Sequence, residues 1–135
     1  MDYLNYVKQL EDDDNLFDKK FNELQSYYEI KSENEVYNFI SAHRGLIVLL
    51  NELKPYLSQN FPNGEFSLRY SIDPEFDSLS NIILNVKVDR YTFDNGIMKS
   101  LRNIFFELRP LRKELDLLVE LMLMPALLDS EKLNK

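Results

Sequence analysis

The chain has 135 residues, 44% hydrophobic and 29% charged, with 23 acids against 16 bases and a net charge of −7. That length is close to one domain and that composition belongs to a folded protein, so a single domain over residues 1–135 is expected. The negative balance disfavours general nucleic-acid binding, and the absence of cysteine excludes disulfides, thiolate zinc sites and cysteine nucleophiles.

Tyr3, Val7 and Leu10 recur at i, i+4 and i+7, which predicts a first helix with one apolar face. Asp12-Asp13-Asp14 interrupts it and puts acids where the next helix leaves backbone N–H groups free, so they are expected to cap that helix. Phe17, Phe21, Leu24 and Tyr28 then predict a helix over about 15–30. Ser32 and Glu35 have the S-x-x-E spacing of a capping box, opening a helix that carries Val36, Phe39 and Ile40. Gly45 is expected to end it, since glycine tolerates the left-handed conformation at helix stops. Residues 46–57 read as a further helix, kinked or restarted at Pro55, and Phe61-Pro62-Asn63-Gly64 as a turn.

In residues 65–73, Phe66, Leu68, Tyr70 and Ile72 alternate with Ser67, Arg69 and Ser71. In residues 81–89, Ile82, Leu84, Val86 and Val88 alternate with Asn85 and Lys87. Period two, repeated in two stretches, predicts two half-buried strands. They are expected to pair antiparallel, because the connection between them is too short for a parallel crossover. Asp94 is expected to cap a helix carrying Ile97, Met98, Leu101, Ile104, Phe105 and Leu108, which Pro110 stops or bends. Residues 111–124, LRKELDLLVELMLM, are rich in helix formers and predict a last helix. Leu115, Leu117, Val119, Leu121 and Leu123 also alternate, so a third antiparallel strand is the alternative. The fold class expected is α+β: mostly helical, with an antiparallel hairpin or a three-stranded sheet covered by helices on one face. No internal repeat or low-complexity tract is present.

EVYNFISAHRGLIVLLNELKPYLSQNFP, EFSLRYSIDPEF and NIILNVKVD follow one another in the middle of the chain. This succession of a short helix, an apolar helix, an F-P turn, a strand, Asp-Pro-Glu and a second strand resembles a family of small, functionally uncharacterised prokaryotic proteins over roughly residues 35–108. The resemblance implies an α+β fold and no particular activity. Beyond residue 108 this chain lacks the tryptophan-rich segment that such proteins often carry.

Asp73, Glu75 and Asp77 place carboxylates at alternate positions between the two strands, where they can hold Mg²⁺ or Ca²⁺ or, more simply, shape a turn. His43 is the one histidine; with no G-x-S-x-G elbow it reads as a cation at a helix end beside Arg44. Three glycines in the whole chain leave no Gly-rich loop to cradle a phosphate, so no cofactor is expected. Arg102, Arg109, Arg112 and Lys113 form the one basic concentration, able to grip an anion, RNA or an acidic protein, or to serve as an exposed helix face.

Residues 1–36 hold ten acids and four bases, whereas residues 90–135 hold seven and eight. The N-terminus lacks a signal-peptide pattern, and no apolar run approaches the roughly 18 residues of a membrane span. A soluble, cytoplasmic protein is therefore expected, with no membrane and no nucleic-acid partner. Without a nucleophile–base pair or cofactor motif, the sequence reads as a non-catalytic protein-interaction module, a homodimer or one half of a pair with a partner protein. Its contacts are expected at Leu115, Leu118, Val119 and Met122, with Arg109 and Arg112 beside them. The alternatives are a small enzyme or metal-binding protein using the acidic loop 73–77, and an acidic inhibitor or nucleic-acid mimic built on the N-terminal charge.

Overall fold

The first two helices each start where an aspartate side chain satisfies a free backbone N–H group. Asp2 Oδ1 accepts from Asn5 N at 3.1 Å to open α1 (Tyr3–Asp12), and Asp13 Oδ1 accepts from Leu16 N at 3.1 Å to open α2 (Asp14–Leu24). The acidic run therefore caps the second helix as its position predicts. The structure is a computed structural model that describes residues 2–72, 75 and 80–132. The elements that follow are β1 (Glu29–Ile30), α3 (Glu33–Ala42), α4 (Gly45–Asn60), β2 (Glu65–Ile72), β3 (Ser80–Val88), α5 (Arg90–Asp94), α6 (Ile97–Glu107), α7 (Arg109–Glu114), β4 (Leu121–Leu127) and α8 (Asp129–Lys132).

The architecture is α+β and mostly helical, and the two alternating segments are the strands β2 and β3. They pair antiparallel, with Leu68 opposite Leu84 and Phe66 opposite Val86. The sheet, however, has four strands in the order β1-β2-β3-β4, with β1 parallel to β2 and β4 parallel to β3. The expected hairpin is thus its centre. Parallel pairing of β4 is possible because α5, α6 and α7 carry the chain back from the end of β3 to its beginning.

The core lies on one face of this sheet. Phe66, Leu68, Ile82, Leu84, Val86, Val88 and Leu121 project into it from the strands. Buried Leu46, Ile47, Leu49, Leu50, Leu53 and Leu57 of α4 meet them, each contributing roughly 1.5–3 kcal/mol by leaving water. Phe17 and Phe21 of α2 pack edge-on against the Tyr37 ring of α3. Arg44 closes the helical layer: it donates to Leu10 O at 2.6 Å, pairs with Asp14 at 2.8 Å and lies 4.4 Å over the Phe17 ring.

Several boundaries differ from the sequence expectations. Helix α2 stops at Leu24, because the chain must turn to lay Glu29 and Ile30 beside β2, and Tyr28 is buried from outside the helix. Ser32 does precede α3, but in the left-handed conformation (φ 50°) and with no capping hydrogen bond from its side chain, so no capping box forms. Gly45 opens α4 and does not end α3, which stops at Ala42; a Cβ on Gly45 would stand 3.3 Å from Leu117 Cδ1, so the glycine makes room for the chain leading into β4. Helix α4 runs through Pro55. Asp94 ends α5, whose cap is Asp89 accepting from Thr92 N at 3.0 Å.

The largest correction concerns residues 111–124. Pro110 falls at the start of α7, which lasts only to Glu114, and Leu121–Leu127 is a strand. Asp116 adopts φ 57°, and the N–H groups of Leu117 and Asp116 close back on the carbonyls of Arg112 (2.8 Å) and Lys113 (3.2 Å). This paired closure ends the helix. Helix propensity is a weak preference, and pairing with the open edge of β3 overrides it.

Candidate functional site

Strand β4 borders the sheet, and its hydrogen bonds show what it presents outward. Glu120 O accepts from Ile82 N at 2.9 Å, and Leu128 N donates to Val88 O at 3.0 Å. Even-numbered residues thus face β3. The N–H and C=O of a strand residue point the same way, so Leu121, Leu123, Pro125 and Leu127 aim theirs at the outer edge. No strand pairs with that edge among the described residues. Pro125 has no N–H to offer, which shortens the stretch on which another strand can hydrogen-bond.

Side chains on β4 alternate in the same way. Leu121 and Leu123 lie on the helix side of the sheet, and Met122 and Met124 on the opposite side beside Ile83 and Asn85. Met122 is 46% exposed and Met124 37%. The turn before the strand adds Leu118 at 41% and Val119 at 69%. These four line a cavity of about 730 Å³ at the end of the sheet where β2 stops and β3 and β4 start. His43 borders it as well; its ring stacks on Phe39 at 4.4 Å, and Nδ1 donates to Phe39 O at 3.0 Å. His43 is the C-cap of α3, the helix-end position that its neighbours suggest.

A second cleft, of about 240 Å³, lies on the helix side of β4. Arg102, Arg109 and Arg112 line it with Met98, Phe105 and Leu123. Arg112 is only 9% exposed; its guanidinium lies 4.0 Å over the Phe105 ring and donates from Nη2 to Leu118 O at 2.7 Å. Burial, and after it the charge of Arg109, lowers its pKa from the ordinary arginine value.

The residues singled out by sequence therefore separate. Leu118, Val119 and Met122 share the open cavity, Arg109 and Arg112 share the cleft, and Phe105 borders both. Leu115 reaches neither; it packs against the core beside Gly45. Met124 belongs with the first group but is not separable by pattern from the other residues of LMLMPAL, and Arg102 of α6, part of the basic concentration read from the sequence, lines the cleft with Arg109 and Arg112 of α7. Of the acidic triplet, Asp73 and Asp77 lie outside the described residues, and among the described residues no group of three His, Asp or Glu side chains is placed to hold a metal ion. Among them, too, no helix is long and apolar enough to cross a membrane.

Against family models, curated proteins and solved structures, the chain has no match.

Proposed function

We propose that the protein is a non-catalytic interaction module that works as a homodimer, two copies meeting through β4 and the turn before it. The observation that carries this reading is the coincidence of four exposed apolar side chains, Leu118, Val119, Met122 and Met124, with a strand edge that nothing pairs among the described residues. An isolated exposed Leu or Met is ordinary, but a contiguous apolar patch beside free backbone groups favours cover by another polypeptide. A two-fold contact suits it because both copies present the same apolar chemistry, and each covered Å² of apolar surface contributes roughly 25 cal/mol. The cationic side chains Arg102 and Arg109 sit on the helix side of β4 and leave the Met122–Met124 side free of their charge. The resemblance over residues 35–108 brings no activity to this reading.

Sedimentation across a concentration series tests it. The chain of 16.1 kDa is expected to approach twice that mass with rising concentration. The double substitution Val119→Asp and Met122→Glu, both at exposed positions, is expected to hold it at one copy with unchanged far-UV circular dichroism. A single-copy mass up to about 1 mM, a weak-affinity limit of roughly 4 kcal/mol, overturns the homodimer.

A further inference from the structure

Three guanidinium groups converge on the cleft between α6, α7 and β4 without a carboxylate among them. We propose that this cleft binds a carboxylate carried on an apolar stem, the carboxylate held by Arg102, Arg109 and Arg112 and the stem lying on Phe105, Phe106 and Leu123. The proposal does not rest on the homodimer: Phe105 borders both cavities, but the arginines line the cleft alone, and Met122 and Met124 lie on the other face of β4.

Arg112 carries the argument. It is nine-tenths buried, and its Nε is buried with no hydrogen-bond partner among the described residues. A buried donor without a partner costs about 1–3 kcal/mol, and more when charged. The Phe105 ring and the Leu118 carbonyl fix the plane of the guanidinium while leaving that donor unused. Arg102 and Arg109 are exposed and enter no hydrogen bond or ion pair among the described residues. In a chain with a surplus of acids, three arginines lining one cleft without an acidic side chain mark a place arranged for an anion from outside.

Size and lining select the class of anion. About 240 Å³ lies below the roughly 300–1,000 Å³ of sites for drug-sized ligands, so a head group and a few carbons fit and a nucleotide does not. A phosphate matches guanidinium geometry as well as a carboxylate does. It must, however, shed more water to enter, and it offers nothing to Met98, Leu101, Phe105, Phe106 and Leu123, which form the rest of the wall. A carboxylate on an alkyl stem uses both halves of the lining. A free short-chain acid and the chain end of a polypeptide share that chemistry.

The test is an NMR titration of the full chain with sodium hexanoate, with 1-hexanol and inorganic phosphate as controls at matched ionic strength. Saturable shifts at Arg112 Nε–H and the Leu123 amide are expected with hexanoate. Arg102→Gln and Arg109→Gln, at exposed positions and so compatible with folding, are each expected to weaken binding about tenfold. A peptide ending in Val-Leu with a free carboxylate, run beside its C-terminal amide, separates the two sources. At least tenfold tighter binding of the acid peptide than of hexanoate assigns a polypeptide end; equal or weaker binding assigns a free acid; both support the site. Absence of saturable hexanoate binding, hexanol or phosphate binding as tightly as hexanoate, or unchanged affinity in both variants overturns it.

Discussion

At the scale of single residues, the most heavily constrained polar group is the Tyr28 hydroxyl. The side chain is 1% exposed, and its O–H donates to Leu50 O at 2.6 Å, tying the turn after α2 to the middle of α4. Burial, and after it the neighbouring Tyr27, push its pKa far above the ordinary tyrosine value. The folded chain therefore keeps this proton where an unfolded chain, titrating near pH ~10, gives it up. Above that pH the unfolded state binds fewer protons, so stability falls as pH rises; below it the contribution is intact. Tyr28→Phe is expected to cost about 1 kcal/mol at pH 7 through the lost hydrogen bond. By pH 11 ionisation of the unfolded wild type removes about 1.4 kcal/mol of its advantage, so the deficit of the variant should close. Urea unfolding at the two pH values checks this; a deficit that is the same at both would show that the phenol titrates alike in both states.

At the scale of elements, the fold was legible wherever the signal was local. Alternation marks β2 and β3 because Phe66 and Leu68 of one, and Ile82, Leu84, Val86 and Val88 of the other, turn the same side to the core, and 3.6-residue spacing marks α1, α2 and α6 because each lays one stripe on the core. Strand β1 has two residues, too few to carry a period, and exists only through pairing with Ser67 and Leu68. Strand β4 was half legible: its leucines alternate, yet nothing in LRKELDLLVELMLM announces where α7 stops. The stop falls on Asp116, at the left-handed position where glycine would have signalled it. The candidate surface followed the same rule. The apolar residues of the segment stood out, but their division between two sides of a strand required the strand itself. Replacing Asp116 by glycine is expected to stabilise the protein by about 0.5–1 kcal/mol, because glycine adopts φ 57° without the Cβ contact. Asp116→Val, branched at Cβ, is expected to destabilise it by a similar or larger amount. Opposite shifts of the urea midpoint at unchanged slope report this; no difference between the two variants would mean that the backbone there relaxes freely.

At the scale of the whole molecule, the sheet joins distant parts of the chain. A local hairpin at its centre is flanked by β1, which brings the N-terminal helices, and by β4, which returns after three helices. Such parallel additions close long loops, so their burial must offset more chain entropy than the hairpin's does. Strand β4 does so by placing Leu121 in the core and Leu123 against it, and by occupying an edge of β3 whose neighbours Leu84 and Val86 are buried. A chain ending at Glu120 loses the strand, leaves that edge of β3 unpaired and leaves α5 and α6 without the surface they pack on. It is expected to lose its cooperative thermal transition or to aggregate. A chain ending at Leu128 keeps all four strands and the Leu128–Val88 hydrogen bond, and is expected to melt within about 2–4 °C of the full chain, the span of roughly 1 kcal/mol in a domain of this size. Differential scanning calorimetry of the two truncations decides the matter: a sharp, reversible transition in the chain ending at Glu120 would show that the hairpin and α4 fold without β4, and that β4 is an appendage rather than part of the cooperative unit.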